Sequence, residues 1–203
     1  MNSPLQRSVS QLIFPGDKMV EFSLGDITDE QTDAIVNAAN SALAPGSGVS
    51  GAIHGRGGSL IYQECRKIVA RDGEVAEGDA VITTGGKLPA KYVIHTVGPV
   101  WRGGGHGEPE KLRSCYRESV ELADRRGLTS IAFPAISTGV FGYPLEAAAD
   151  TAVTSAVAAL QETKNLTDIH FVLFDPAAFA AFVNQAKVVA AERKLRFDTY
   201  TAA

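Results

Sequence analysis

Two glycine-rich stretches with small hydroxyl side chains are the segments of this sequence best suited to binding an anion. The first covers residues 37–54 and reads NAANSALAPGSGVSGAIH, and the second covers residues 137–143 and reads STGVFGY. Glycine lets backbone N–H groups approach an oxyanion closely, and a helix that follows adds partial positive charge at its N-terminus. Concave runs of backbone amides can therefore bind phosphate without a cationic side chain. Two such loops facing each other could hold a diphosphate.

Within the first stretch, Gly46, Gly48 and Gly51 match the G-x-G-x-x-G pattern of dinucleotide-binding turns. In those turns the glycines follow a strand almost at once, whereas about ten residues separate Val36 from Gly46 here. No acidic residue at a strand end stands roughly 20 positions further on. The sequence also lacks the G-K-[ST] end of a P-loop. A Rossmann dehydrogenase is therefore the less favoured alternative.

Alternating strands and helices are predicted to position these loops. Val20, Phe22 and Leu24 alternate as in a half-buried strand. The predicted strands are residues 19–27, 34–36, 79–84, 91–97, 130–137 and 170–174, and the predicted helices are residues 59–71, 110–126, 145–160 and a last helix that begins at Pro176 with Asp175 as its N-cap. This order predicts an α/β fold, a three-layer α/β/α sandwich with a central mixed β-sheet. We expect one domain over residues 19–203, after an N-terminal extension (residues 1–18) that is either a short leader or a strand added to a sheet edge.

Composition and charge limit the classes of partner and the cellular compartment that we expect for this protein. The net charge is −4, which disfavours nucleic acid as a partner, and no apolar run approaches the length of a membrane span. Two cysteines and four histidines show no paired spacing, so we expect neither a metal site nor a cofactor. Cys65 and Cys115 are interpreted as buried thiols on helices, which suits a reducing, cytoplasmic compartment. We expect a monomer.

Four blocks in a fixed order give the sequence a family resemblance. They read GDITDEQTDAIVNAAN (25–40), GSGVSGAIH (46–54), HTVGPVWRGG (95–104) and PAISTGVFGYP (134–144). Together they resemble a macrodomain, and within that family the branch of MacroD-type ADP-ribosyl hydrolases. The resemblance extends from about residue 20 to about residue 182.

The resemblance implies an ADP-ribose cleft at the carboxyl ends of the strands. Asp26 would accept a hydrogen bond from the adenine amino group beside the Ile27 backbone, and Phe174 would border the adenine ring. Asn40 would reach the distal ribose, and Asn37 would brace the loop or help there. The diphosphate would lie between Gly48, Val49 and Ser50 on one side and Ser137, Thr138, Gly139, Val140 and Phe141 on the other.

Ser50 departs from the family pattern, because MacroD-type sequences have an aspartate at this position that is thought to position or polarise a water. Serine is a poor base unless a neighbouring group accepts its proton. His54 follows one helical turn later, so a Ser50–His54 hydrogen bond is one option. In the other option the diphosphate activates the water and Ser50 holds it. The candidate catalytic residues are Asn40, Ser50 and His54.

Each of these site residues also has a purely structural alternative. Asp26 could cap a turn, and Ser50 could be the N-cap of the following helix. His54 and Phe174 could be ordinary core residues, and Asn37 and Asn40 could be asparagines that satisfy loop backbone.

The segment WRGGGHG (101–107) lies between a predicted strand and a predicted helix. Its glycines give the backbone freedom, so it could act as a lid near the distal ribose. The alternative is a plain surface loop.

The resemblance implies one of two functions. The first is a hydrolase that removes mono-ADP-ribose from acidic side-chain esters of modified proteins, with deacetylation of O-acetyl-ADP-ribose as related chemistry. The second is a reader module that binds ADP-ribose without turnover. In both cases the expected partners are ADP-ribose and ADP-ribosylated proteins.

Overall fold

Eight strands form one mixed β-sheet in the computed structural model of this chain, which describes residues 7–202. The strands are β1 (Arg7–Ile13), β2 (Met19–Leu24), β3 (Ala34–Ala39), β4 (Ala80–Thr84), β5 (Tyr92–Val97), β6 (Ser130–Phe133), β7 (Asp168–Leu173) and β8 (Arg196–Ala202). Their order across the sheet is β4-β5-β3-β6-β7-β2-β1-β8. The five strands from β5 to β2 are parallel. Their carboxyl ends therefore meet at one edge of the sheet, where ligands bind in folds of this class.

Helices cover both faces of this sheet, which confirms the predicted three-layer α/β/α arrangement. They are α1 (Gly48–Gly57), α2 (Ser59–Asp72), α3 (Glu108–Arg125), α4 (Leu145–Glu162) and α5 (Pro176–Arg193). Apolar residues of α3, α4 and α5 pack on one face, and those of α1 and α2 pack on the other. Within residues 7–202, none of the helices is both long enough and apolar enough to cross a membrane.

An aromatic cluster stabilises the face that carries α3, α4 and α5. Phe171 of β7 lies at its centre, with ring centroids 5.3 Å from Phe22 and 5.2 Å from Phe182. Tyr116 and Phe133 complete the cluster, and all five side chains are fully buried. Aromatic pairs at such distances contribute about 0.5–1.5 kcal/mol each beyond their buried area. The cluster therefore fixes the central strands whose ends carry the cleft.

The predicted strands and helices are present, with shifted ends. The strand predicted to reach Ser137 stops at Phe133, because Pro134 has no N–H to donate to the ladder. Helix α5 begins at Pro176, and the Asp175 side chain accepts a hydrogen bond from the Ala178 N–H, which confirms the predicted N-cap. Strand β8 was not predicted from the sequence.

The predicted N-terminal extension contributes to the sheet. Residues 1–6 lie outside the described residues, whereas residues 7–13 form β1, which pairs with both β2 and β8. The described part thus takes the strand alternative, although β8 rather than β1 is the edge strand. The domain boundary between residues 18 and 19 stays a prediction, and it falls in the connection from β1 to β2.

Candidate functional site

Two adjoining cavities lie at the carboxyl ends of the parallel strands, and we call the pair the cleft. The first cavity, of about 260 Å³, lies between the start of α1 and the loop that follows β6. The second, of about 340 Å³, extends towards the ends of β2 and β7. Both cavities are lined by Gly48, Val49, Ala135 and Gly139, so they form one continuous groove. An elongated ligand can therefore occupy both.

The first wall of the cleft is the N-terminal turn of α1. Its N-cap residue, Ser47, makes no side-chain capping bond. Among residues 7–202 the backbone N–H groups of Gly48, Val49 and Ser50 have no hydrogen-bond acceptor, as is usual for the first turn of a helix. These three residues line the first cavity. The wall thus presents unpaired donors and the positive end of a helix dipole to the cleft.

Glycine is required at two positions in this wall. Gly48 has φ +59°, in the left-handed region that side chains disfavour. A Cβ atom on Gly51 would lie 2.7 Å from the backbone oxygen of Gly46, closer than a real contact allows. The G-x-G-x-x-G match therefore reflects the tight entry into α1 rather than a Rossmann turn.

Asn40 braces the loop that leads to this wall. Its side-chain Nδ2 donates to the Ala44 carbonyl at 2.9 Å, and its Oδ1 accepts from the Ala44 N–H at 3.0 Å. Asn40 also lines the first cavity, and the family resemblance implies that this residue contacts the distal ribose. The two bonds leave one Nδ2 hydrogen and part of the Oδ1 acceptor capacity for a ligand.

The second wall is the loop over residues 134–143. The N–H groups of Gly139, Val140 and Phe141 have no acceptor among the described residues, and all three residues line the first cavity. Ser137 has φ +66°, a conformation uncommon for a residue with a side chain. Its carbonyl accepts from the Tyr143 N–H at 2.9 Å, which closes the loop. A second set of unpaired main-chain donors therefore faces the first.

Long-range contacts anchor this second wall. The Ile136 N–H donates to the Tyr116 hydroxyl of α3 at 3.3 Å. The Phe141 carbonyl accepts from the Trp101 N–H at 2.8 Å, and the Trp101 ring lies 4.5 Å from that of Tyr143. The loop is thus tied to α3 and to the segment after β5.

Asp26, at the predicted adenine end of the cleft, already accepts hydrogen bonds from within the protein. The Asp26 Oδ1 accepts from the Thr28 N–H at 2.9 Å and from the Thr28 hydroxyl at 2.6 Å, so the turn-cap role is present. Its Oδ2 lies 3.6 Å from Nη1 of Arg56, whose guanidinium also pairs with Asp29. Asp26 lines the second cavity beside Ile27, with its Oδ2 the less engaged oxygen. The structure thus combines the cap role with access to a ligand.

Two large apolar side chains on the cleft are unusually exposed. Phe174, in the second cavity, is 83% exposed, and Val140, in the first, is 87% exposed. The alternative reading of Phe174 as a core residue is therefore wrong. An exposed aromatic ring at the end of a strand provides a flat surface on which a base can stack. Thr138, which also lines the second cavity, donates its hydroxyl hydrogen to the Ala135 carbonyl.

Buried polar atoms without partners concentrate around the cleft. Among the described residues they are Asn37 Oδ1, Ser50 Oγ, both ring nitrogens of His54 and Ser137 Oγ. An unsatisfied buried polar atom costs about 1–3 kcal/mol, so each needs an explanation such as a water or a ligand. Ser50 and Ser137 line the first cavity from opposite walls. The first cavity therefore offers unpaired hydroxyl groups to a polar ligand.

The hydrogen bond suggested for Ser50 and His54 is absent from residues 7–202, because neither side chain has a partner. The N-cap role of Ser50 is also wrong, since Ser47 takes that position and Ser50 lies in the first turn. His54 is buried on α1, and burial lowers its pKa below the ordinary value. At neutral pH it is therefore an uncharged imidazole behind the first wall.

Asn37 lies in β3, beneath the cleft, and lines neither cavity. Its Nδ2 lies 3.1 Å from Nδ1 of His95, and the other ring nitrogen lies 2.9 Å from the Thr83 hydroxyl. Burial, with a smaller effect of the neighbouring His54, lowers the pKa of His95 to about 3. Asn37 thus braces the strand next to the loop, in line with one of its two predicted roles.

Some cleft residues were not identified from the sequence. Ser47, Gly98 and Ala135 line the first cavity, and Asp175 lines the second beside its capping role. A Cβ atom on Gly98 would lie 2.3 Å from the Ser137 Oγ. The absence of a side chain at Gly98 therefore leaves room for the second wall. Its place in the HTVGPVWRGG block is the one available signal, since a glycine carries no side chain that could itself suggest a role.

Comparisons with known proteins match this chain to one family. The Macro domain family matches residues 36–152. The chain is 54% identical over 151 residues to a macro domain-containing protein in the gbd 3′ region of Cupriavidus necator, covering 74% of this chain and 87% of that protein. It is 48% identical over 162 residues to an O-acetyl-ADP-ribose deacetylase of Klebsiella pneumoniae strain 342, covering 80% of this chain and 93% of that enzyme.

A solved structure extends the likeness to three dimensions. It is the macrodomain of Oceanobacillus iheyensis with ADP, which superimposes with a TM-score of 0.86 at 37% identity. The match covers 91% of this chain and 98% of that structure.

Proposed function

Because this chain belongs to the macro domain family, we propose that it binds ADP-ribose in the cleft and hydrolyses ADP-ribose esters. The observation that carries the proposal is the pair of facing main-chain cradles. Gly48, Val49 and Ser50 supply one, and residues 139–141 supply the other. The named activity of the Klebsiella pneumoniae relative supports an ester substrate.

The diphosphate would lie between the two cradles. Backbone N–H groups that point at an anion form charge-assisted hydrogen bonds about twice as strong as neutral ones. The unpartnered hydroxyls of Ser50 and Ser137 would add one donor from each wall. Among residues 7–202 no lysine, arginine or histidine lines either cavity, so main-chain donors have to balance the ligand charge.

The adenine would occupy the second cavity. Phe174 presents an exposed ring for stacking, and the Oδ2 of Asp26 can accept from the exocyclic amino group. The distal ribose would then reach the first cavity near Asn40. This orientation follows from the continuity of the two cavities.

Hydrolysis of an ester needs a positioned water and an acceptor for its proton. The Ser50 hydroxyl can hold the water, but it has no neighbouring base to accept its proton. We infer that a diphosphate oxygen of the substrate accepts the proton as the water oxygen bonds to the ester carbonyl carbon. The proton then passes to the ribose oxygen as the bond from that oxygen to the carbonyl carbon breaks. On this mechanism positioning and main-chain electrostatics supply most of the rate enhancement.

We propose two substrate classes for this reaction. The first is O-acetyl-ADP-ribose, by analogy with the relative named for that activity. The second is mono-ADP-ribose attached to acidic side chains of proteins, since both linkages are carboxylic esters of the ribose. The cytoplasmic location and the monomeric state stay predictions.

The proposal is tested on one sample of the full chain. Calorimetric titration with ADP-ribose, ADP and AMP should give binding of the first two and much weaker binding of AMP, which lacks the second phosphate. Release of acetate from O-acetyl-ADP-ribose, and of ADP-ribose from a glutamate-modified protein, should then exceed the buffer rate. No binding of ADP-ribose would overturn the assignment of the cleft.

A reader module is the second candidate function. It is favoured by one observation, the absence among the described residues of a base that contacts Ser50. Tight ADP-ribose binding without release from either ester would decide for the reader. A Ser50→Ala variant that keeps full release would instead show that Ser50 is not part of the chemistry.

A further inference from the structure

A buried cluster of two histidines and a cysteine lies behind the first wall of the cleft. His54 comes from α1, Cys65 from α2 and His95 from β5, and one ligand atom of each lies within 4.8 Å of the others. Cys65 Sγ lies 3.7 Å from Nε2 and 4.0 Å from Nδ1 of His95. The rings of His54 and His95 are 6.0 Å apart between centroids. These side chains are separated in sequence, so no short sequence motif indicates the cluster.

We propose that this cluster is a binding site for one soft monovalent metal ion, Cu(I), held by Cys65 and the two histidines. Proximity is the first observation. The second is His54, which is only 8% exposed and has no hydrogen-bond partner on either ring nitrogen. A buried imidazole without partners is uncommon, and a metal ion would satisfy it.

The hydrogen bonds of His95 suit metal binding. The Thr83 hydroxyl donates to the Thr84 carbonyl, so it accepts from the Nε2–H of His95. The lone pair therefore lies on Nδ1, which now faces Nδ2 of Asn37. A metal at Nδ1 would replace that contact and leave the other ring N–H on an oxygen, as metal-bound histidines usually have it.

Charge and ligand number favour Cu(I) over Zn(II). The Cys65 thiol would lose its proton to the solvent as the metal–sulfur bond forms, and the metal would keep its oxidation state. Cu(I) with one thiolate and two neutral imidazoles has zero net charge, which suits a site where Cys65 and His95 are fully buried. Zn(II) would leave a net positive charge and usually takes a fourth ligand. Thiolate ligands also favour the softer ion.

The test is an anaerobic titration of the full chain with Cu(I) supplied in acetonitrile, in competition with a chromophoric Cu(I) chelator. We expect one Cu(I) per chain and a thiolate-to-copper charge-transfer absorption in the ultraviolet. X-ray absorption of the loaded protein should give one sulfur and two nitrogen neighbours. A chain that retains no Cu(I) against the chelator would overturn the proposal, as would a preference for Zn(II).

Cys115 provides the matched control. It is the other buried thiol, and its Sγ donates to the Val97 carbonyl on the opposite face of the sheet. Cys65→Ser should lower Cu(I) affinity at least about 100-fold, because losing a ligand costs more than the 10–100-fold of losing an outer partner. Cys115→Ser should leave it unchanged. Equal retention by both variants, or a coordination shell without sulfur in the parent protein, would contradict the site.

Discussion

The two walls of the cleft present the same kind of donor but are held in different ways. The first wall depends on local geometry, with Gly48 and Gly51 shaping the entry into α1 and Asn40 bracing the preceding loop. The second depends on distant parts of the chain, through Tyr116 of α3 and Trp101. Similar main-chain cradles can therefore have local or long-range support, and substitutions should affect the two walls differently.

The largest effect should follow from Gly51→Ala in the first wall. The new Cβ would meet the Gly46 oxygen at 2.7 Å, so the turn that carries the donors has to move. Displacing these donors would cost at least one hydrogen bond to the charged diphosphate, worth about 1.5–3 kcal/mol, so we expect ADP-ribose affinity in calorimetry to fall about 100-fold. Gly55→Ala in the same helix is the control, because nothing lies within 4 Å of its added Cβ. Unchanged affinity in Gly51→Ala would show that the wall is not held by local geometry.

Acid should have the next largest effect, because it protonates the buried histidines that lie behind the first wall only. The pKa of His95 is about 6.5 in the unfolded chain, and burial lowers it to about 3 in the folded one. Its contribution to stability is thus complete above pH 6.5 and is lost as the pH falls towards 3. At pH 5 the loss is about 2 kcal/mol, from one and a half pH units at about 1.4 kcal/mol each.

This pH dependence is measured by urea unfolding at pH 5 and pH 7.5. His95→Gln should remove most of the difference in unfolding free energy, whereas His106→Asn, at a side chain that is 64% exposed, should keep it. A similar pH dependence of the unfolding free energy in both variants would show that His95 is not its cause.

Asn40→Ala should weaken the first wall by a smaller amount. It removes both side-chain bonds to Ala44, each worth about 1 kcal/mol, while leaving the glycines in place. We expect about 10-fold weaker ADP-ribose binding, with a stability loss seen in thermal unfolding. Asn40→Asp retains the acceptor for the Ala44 N–H and should lie between Asn40→Ala and the parent. Full affinity in Asn40→Ala would leave the glycines as the main local support.

The smallest effect is expected from Tyr116→Phe, which tests the long-range support of the second wall. Loss of the hydroxyl leaves the Ile136 N–H without its acceptor, at a cost of about 1 kcal/mol for a bond of 3.3 Å. Thermal unfolding and ADP-ribose titration should both shift slightly. Hydrogen exchange should rise at the hydrogen-bonded Gly142 and Tyr143 amides of the second wall but not at the Gly51 amide of the first. Faster exchange in both walls would contradict their separate support.

The sequence was sufficient to predict features set by neighbouring residues. It was insufficient to predict contacts between residues that lie far apart in the chain. Alternation predicted the central strands, and the Asp175–Pro176 cap predicted the start of α5. The glycine-rich stretches predicted the two walls of the first cavity. Partners far apart in the chain could not be inferred, such as Tyr116 for Ile136. Strand β8 carries mainly polar residues, so no apolar pattern indicated it.

The segment 101–107 shows the same limit. The sequence left it as a lid or a plain surface loop, but the buried carboxylate of Glu108 accepts from the N–H groups of Arg102, Gly104 and His106. Burial alone would raise the pKa of Glu108, yet the backbone donors outweigh it and lower the pKa to about 2. The segment is therefore organised around one acid, which neither its glycines nor its charge pattern reveals.

Recognition by main-chain dipoles has a consequence for selectivity. No lysine, arginine or histidine from residues 7–202 lines either cavity, and the guanidinium of Arg56 beside Asp26 is paired with carboxylates. Long-range attraction therefore contributes little to capturing an anion. Complex formation should be almost indifferent to ionic strength, unlike that of sites built from lysine and arginine. Abundant polyanions would then compete poorly, and discrimination would depend on fit within the groove rather than on how much charge a solute carries.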